Sequence, residues 1–222
     1  MNEKKERNMR KAKVVTLEGC DGSGKTTMLK YLIDQLRPLG YKVLETREVG
    51  NPHIKVCVKL RELVLNPESD LDGAEMEMIF SAMRLRNERF YRSVEREYDF
   101  IVSDRGWLSH LAYTDHNVNE EFTNMLYMNL MAELTTMPDA VLYFDVNTET
   151  ALKRRVKRSE GMDVIEMKGV EFQEKVRESF LEHIANLKNQ SPNTEVFMVD
   201  ANKSILEVQK RVDKIVSALI LE

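Results

Sequence analysis

Two cysteines in 222 residues, Cys20 and Cys57, are too few for a disulfide framework. Cys20 falls inside a glycine-rich loop, which points to a reducing compartment, so the chain is expected in the cytoplasm. No apolar run approaches the roughly 20 residues that a membrane-spanning helix needs. The N-terminal residues carry no apolar signal core, and no membrane partner is expected. Neither sign of charge dominates: 33 Lys and Arg against 37 Asp and Glu leave a net charge of −4. That balance gives no support to a nucleic-acid partner held by bulk charge. There is no internal repeat and no low-complexity linker. What remains is a single α/β domain, long enough to bury a full core. Residues 1–12 stand apart as a charged, aperiodic stretch, read as a disordered basic arm, and the domain is taken as 13–222.

Five short apolar runs recur along the chain: Val14–Leu17, Lys42–Glu45, Phe100–Ser103, Ala140–Val146 and Glu195–Val199. Their continuous character suits strands buried on both faces of a parallel sheet. Between them lie segments with apolar residues three and four apart, over 74–97, 119–136 and 167–189, and a last one bearing Ile205, Val208, Val212, Ile215, Val216 and Leu219. Ser204 and Glu207 form a capping-box candidate at its start. Residues 66–73, rich in turn formers, read as a loop inside the domain. Alternating strands and helices predict a three-layer α/β sandwich of the P-loop type, with a five-stranded parallel sheet. Thirteen methionines are many. Met76, Met78 and Met83 fall in one helix, and Met125, Met128, Met131 and Met137 in or near another. They read either as adaptable core filling or as a face between two copies.

The most informative stretch is Glu18-Gly19-Cys20-Asp21-Gly22-Ser23-Gly24-Lys25-Thr26-Thr27. It follows a strand-like run and opens an amphipathic segment, the context that makes G-x-x-x-x-G-K-[ST] a phosphate site. Glycines let backbone N–H groups converge on an anion, and the helix N-terminus adds a positive dipole end. Lys25 can reach the β- and γ-phosphates, and Thr26 can offer its hydroxyl to Mg²⁺. Gly19, Asp21, Gly22, Ser23, Gly24, Lys25, Thr26 and Thr27 are therefore the expected ATP-binding residues. The other strand ends are polar as well, which is where ligands bind in such sheets. They carry Thr46-Arg47-Glu48-Val49-Gly50, then Asp104-Arg105-Gly106-Trp107-Leu108-Ser109-His110 running on to Tyr113, then Asp145 ahead of a basic helix holding Arg154, Arg155 and Arg158.

In order and spacing these segments resemble the thymidylate kinase family, from residue 13 through nearly the whole chain. The loop is similar to GxDGSGKTT, and Thr46-Arg47-Glu48-x-Gly50 to TREPG. Phe80-Ser81-Ala82-Met83-Arg84 is similar to F-x-A-x-R, and Asp104-Arg105 with Ser109 and Ala112-Tyr113 to DR[YFH]xxS…AY. Asp163-x-Ile165-Glu166 with Val176-Arg177 resembles the lid and the helix behind it, and Val199-Asp200-Ala201-x-x-Ser204 resembles VDAxxS. The resemblance implies transfer of a phosphoryl group from ATP to dTMP, giving dTDP for dTTP biosynthesis, with Mg²⁺ and in a homodimer.

Bringing two anions together needs cations on both, and the resemblance places Arg47 and Arg105 on the acceptor phosphate. Phe80 and Arg84, one helical turn apart, share a face. The ring would stack on the base while the guanidinium donates to O4 of thymine, where cytosine presents an amine. By the same resemblance Asp21 faces the sugar 3′-hydroxyl or the metal-bound waters, Tyr113 would press on C2′ and favour a deoxyribose, and Ser109 and His110 lie beside the nucleotide. Structural readings remain open for Tyr113 and His110. Asp104 holds Mg²⁺ through water, with Thr26. Ser23 is neutral where some relatives carry a loop arginine, so the mobile cation is expected from a lid at about 154–168, with Arg154 and Arg158 the preferred pair. The expected catalytic set is Lys25, Asp104, Arg105, Arg154 and Arg158.

Two departures stand out. Val49 replaces a proline whose peptide is often cis, so Glu48–Val49 is expected trans. Gly106 replaces an aromatic, and Trp107 either supplies that bulk or merely packs. These changes lie around the acceptor, which keeps a broader deoxynucleoside monophosphate kinase in view. A deoxynucleoside kinase with Glu48 as base is the other alternative, and a nucleotide-binding regulator without turnover a third.

Overall fold

A computed structural model describes residues 11–133, 137–156 and 164–221. Five strands, β1 (Lys13–Glu18), β2 (Val43–Arg47), β3 (Phe100–Asp104), β4 (Ala140–Asp145) and β5 (Glu195–Asp200), form one sheet in the order β2-β3-β1-β4-β5. Every pairing is parallel. The eight α-helices among the described residues are α1 (Lys25–Leu36), α2 (Lys55–Leu65), α3 (Gly73–Val94), α4 (Trp107–Thr114), α5 (Glu120–Glu133), α6 (Thr148–Val156), α7 (Gly169–Gln190) and α8 (Ile205–Leu221).

The side-chain period of two along a strand sends alternate residues to opposite faces. In β4, Leu142 and Phe144 join Leu29, Leu32 and Leu36 of α1 and Val212 and Ile215 of α8 in one core. Val141 and Tyr143 of the same strand pack instead with Leu108 and Ala112 of α4 and Val176 and Phe180 of α7. Both faces are thus covered, which is why these strands read as continuous apolar runs. A third cluster joins Cys57 and Val64 of α2 to Met76, Phe80 and Met83 of α3, with Ile165 beside them. It forms the apolar floor of the site described below.

The expected helix at 74–97 is Gly73–Val94, and Asp72 and Glu75 close a full capping box at its start. The segment over 66–73 holds a short 3₁₀ turn, Pro67–Ser69. α2 and α4 were not foreseen as helices, because the polar residues at the strand ends drew attention to loops there. At the last helix the expected box is present: Glu207 accepts from the Ser204 N–H at 3.1 Å, and the Glu207 N–H reaches Ser204 Oγ at 3.4 Å.

Residues 1–10 of the expected arm lie outside the described residues, and so do 157–163 of the expected lid, Arg158 and Asp163 included. Ala12 is buried, and its N–H donates to the Glu95 carbonyl at 2.6 Å. Among the described residues no helix is long and apolar enough to cross a membrane.

Candidate active site

β1 ends at Glu18 and the chain turns through the glycine-rich loop into α1. Gly24, with φ of +87°, stands at the helix N-cap, and no side chain caps that end. The first-turn amides there suit an anion. Gly22 also has φ of +87°, and a Cβ at this position would lie 2.5 Å from the Ala151 carbonyl of α6. Only glycine lets the basic helix rest against the loop. Lys25 is buried, with Nζ 3.3 Å from the Cys20 carbonyl and 3.6 Å from Asp21 Oδ1. Burial first, and then the Arg105 charge, pull its pKa down. Thr26 Oγ1 donates to Asp104 Oδ2 at 2.7 Å, while buried Asp104 Oδ1 and Ser23 Oγ have no protein partner.

Arg105, just past β3, links the loop to the neighbouring cleft. Its backbone is left-handed, with φ of +69°, a conformation that non-glycine residues seldom adopt. Nη1 donates to the Gly19 carbonyl at 3.1 Å and to Ser109 Oγ at 3.2 Å. Nη2 donates to Asp21 Oδ1 at 2.5 Å and to Tyr113 Oη at 3.2 Å, and the guanidinium lies 5.0 Å from the Tyr113 ring centre. Burial works against the charge of Arg105, but Asp21, Tyr113 and Asp104 hold its pKa well above the ordinary value. Burial likewise opposes the Asp21 charge, and Arg105 and Lys25 overcome it, keeping that carboxylate ionised. The pair is a preorganised cation–anion set at the mouth of the loop.

Expected residues Asp21, Phe80, Arg84, Arg105, Ser109, His110 and Tyr113 line the cleft beyond Arg105. Charged, polar and aromatic side chains converge there, as in a small-molecule site. Arg84 is not a solvated helix residue. It is buried, ion-paired through Nη1 with Glu48, and bonded through Nη2 to the Gly106 carbonyl at 3.1 Å; its Nε has no partner. Sequence reasoning missed Glu48 as a wall residue, together with Val49, Arg61, Leu65, Glu77, Asn117 and Ile165. Glu77 could have been found: it stands three residues before Phe80 on the same helical stripe. Its carboxylate accepts from Thr114 at 2.8 Å and Asn117 at 2.5 Å, and His110 Nδ1 is 3.8 Å away. Burial, reinforced by Arg84, pushes the His110 pKa well below 6.5, so its imidazole is neutral.

Not every expected residue converges. Arg47 is exposed, donates from Nε to the Gly50 carbonyl at 3.1 Å, and is not among the cleft-lining residues. Trp107 is buried, lies tilted against Tyr127 with ring centres 5.7 Å apart, has the Arg84 guanidinium 5.8 Å from its ring centre, and is not among them either, so it backs Arg84 rather than forming the wall itself. The Glu48–Val49 peptide is cis, which corrects the expectation of a trans bond. That expectation weighed only the missing proline ring. The contacts around the turn set its shape: the Glu48 N–H donates to the Asp104 carbonyl at 3.0 Å, Arg61 donates to the Val49 carbonyl at 3.0 Å, and Arg84 holds the Glu48 carboxylate.

Of the basic helix, Arg154 Nη1 lies 3.5 Å from the Gly22 carbonyl, a marginal contact. Among the described residues the buried Nε of Arg155 has no partner, and its charge adds to those that keep Asp21 ionised. Arg177, behind the lid, is committed to Asp145 through two hydrogen bonds of 2.7 and 3.0 Å.

A loop built for a polyphosphate, facing a second cation-lined cleft at the ends of a parallel sheet, defines a nucleotide-dependent phosphotransferase of the α/β P-loop class. A family model described as Thymidylate kinase matches residues 17–212. A thymidylate kinase of Mesoplasma florum is 32% identical over 210 residues, covering 91% of this chain and 93% of that protein. One from Finegoldia magna is 32% identical over 196 residues, 87% of this chain and 92% of its own. Another, from Legionella pneumophila strain Corby, is 28% identical over 217 residues, with 94% and 95% covered. The chain belongs to the thymidylate kinase family.

Proposed function

We propose that this enzyme transfers the γ-phosphoryl group of ATP to dTMP, yielding ADP and dTDP. The observation that carries the reading is Arg105, which bonds the phosphate loop at Gly19 and Asp21 and the cleft at Ser109 and Tyr113 with one guanidinium. A cation in that place can grip the acceptor phosphate within reach of the donor. An ionised phosphate needs little general-base help, so catalysis is positioning and charge neutralisation. Lys25 and the loop amides would hold the donor phosphates, and Arg155 or a neighbouring lid arginine would cover the migrating group.

The Mg²⁺ that such transfers use fits Thr26 and Asp104, because Asp104 Oδ1 is buried without a protein partner and can take a metal-bound water. Bound there, the ion would neutralise charge on the donor phosphates. Phe80 offers a stacking face, and Arg84, its Nη groups held by Glu48 and Gly106, would meet an oxygen of the base rather than an amine. Tyr113 beside Asp21 would crowd a 2′-hydroxyl. Exposed Met78, Met125 and Met128, on α3 and α5, support a homodimer face. The free thiol of Cys20 inside the loop suits a reducing cytoplasm.

The test is ADP release with dTMP, dCMP, dGMP and thymidine as acceptors. An unpaired donor facing Arg84 is worth about tenfold or more, so dTMP is expected to lead dCMP by at least that in kcat/KM. Equal rates for dTMP, dCMP and dGMP would contradict the reading. Activity on thymidine without activity on dTMP would move it to a deoxynucleoside kinase. Glu48, the base that alternative needs, is already ion-paired with Arg84.

A further inference from the structure

Glu18, the last residue of β1, is wholly buried directly beneath the phosphate loop. Ser109 Oγ donates a short hydrogen bond to its Oε2. The same hydroxyl accepts from Arg105 Nη1 at 3.2 Å. One proton on Ser109 therefore orients a relay running from Arg105 through Ser109 to Glu18. The other carboxylate oxygen, Oε1, is buried and unpartnered. The site is closed from β1 and from the chain after β3: a Cβ on Gly106 would fall 2.6 Å from Thr16 Cγ2 and 3.1 Å from Glu18 Oε1.

Charged groups face Glu18 from three elements: Arg105 after β3, Arg84 from α3, and Glu48 after β2. Burial pushes the carboxyl up to about 7 from an ordinary value of 4.5, against the Ser109 bond and the two arginine charges, with Glu48 adding to the rise. Both protonation forms are therefore accessible near neutral pH.

We propose that Glu18 is a positioning residue for the acceptor phosphate: through Ser109 it fixes Arg105, and it takes up a proton from solvent when that phosphate binds. The proposal rests on the cleft being a monophosphate site. A phosphate on Arg105 brings negative charge to a group that now stabilises ionised Glu18. The carboxylate then becomes more basic, and binding is coupled to protonation.

Calorimetry of dTMP binding at pH 7, run in two buffers of different ionisation enthalpy, counts the protons taken up. Glu18→Gln keeps a carbonyl for the Ser109 bond and removes the titration. The dTMP phosphate contributes its own protons equally to both proteins, so their difference isolates Glu18. The wild type is expected to take up more protons than Glu18→Gln. Glu18→Ala, which also cuts the relay, should raise the KM for dTMP about tenfold, the worth of a hydrogen bond to a charged group, with KM for ATP within about twofold.

The pH dependence of stability is a second readout. Between about 4.5 and about 7 the native protein holds a proton on Glu18 that the unfolded chain has lost, so this residue makes stability fall as pH rises through that window. Glu18→Gln should lose that component of the slope. Equal proton counts in wild type and Glu18→Gln, or an Ala variant that raises both KM values alike, would overturn the proposal and leave the acceptor reading standing. A wild type that binds no dTMP would overturn both.

Discussion

Replacing Arg105 with alanine is expected to lower kcat/KM for dTMP roughly a thousandfold, with KM for ATP changing little. Among the described residues the guanidinium bonds four partners, the Gly19 carbonyl, Asp21, Ser109 and Tyr113, two from the loop and two from the cleft. Its removal takes away the acceptor grip and also leaves Asp21 with Lys25 at 3.6 Å and a long hydrogen bond from the Tyr113 hydroxyl at 3.3 Å. Truncating one partner of a buried, hydrogen-bonded charge pair costs about 2–5 kcal/mol, and the lost phosphate contact adds to that. Arg105→Lys should recover only part of the loss, because an ammonium is a point charge and cannot fork between loop and cleft. Steady-state kinetics with each substrate varied separates the two effects. A loss below tenfold in the alanine variant would mean that another cation holds the acceptor.

The second large effect is expected at Arg155. Its alanine variant should lose roughly a hundred- to a thousandfold in kcat with KM for dTMP nearly unchanged, as for other cations that stabilise charge only in the transition state. Arg154→Ala should cost less, since its Nη1 contact with Gly22 is a marginal 3.5 Å. The i, i+4 spacing of Arg154 and Arg158 had favoured that pair on the assumption of a helix with one face over the phosphates. In the structure it is Arg155 whose Nε is buried and whose charge reaches Asp21. Rapid-quench measurement of the transfer step would separate the two variants. A larger loss in Arg154→Ala would assign the mobile cation to Arg154 instead.

Legibility in the sequence followed the length of the signal. β1 and β4 carry unbroken apolar runs, and the loop after β1 has fixed glycine spacing, so strand, turn and helix were placed without tertiary information. Helical periodicity puts Phe80 and Arg84 on one face, but only the family resemblance pointed from that shared face to a nucleotide. Glu48 was seen, but as a base for an alternative reaction. Its role as the partner of Arg84 depends on a turn after β2 meeting a helix 36 residues later, which no local pattern encodes. The same holds for Glu77 with Thr114 and Asn117, and for Glu18 with Ser109. Arg47 shows the opposite case. A motif position suggested convergence, but the residue is exposed at the end of β2 and bonds its own turn. Local spacing identifies groups that share an element; ion pairs between elements need the fold.

Under the proposed function, Arg105 presents a phosphate, rather than a hydroxyl, to the donor. A single reaction with γ-labelled ATP, Mg²⁺ and equal dTMP and thymidine tests this directly, with the nucleotides separated by anion exchange. The label is expected in dTDP, with none in dTMP. Label appearing in dTMP, or only in inorganic phosphate, would contradict it.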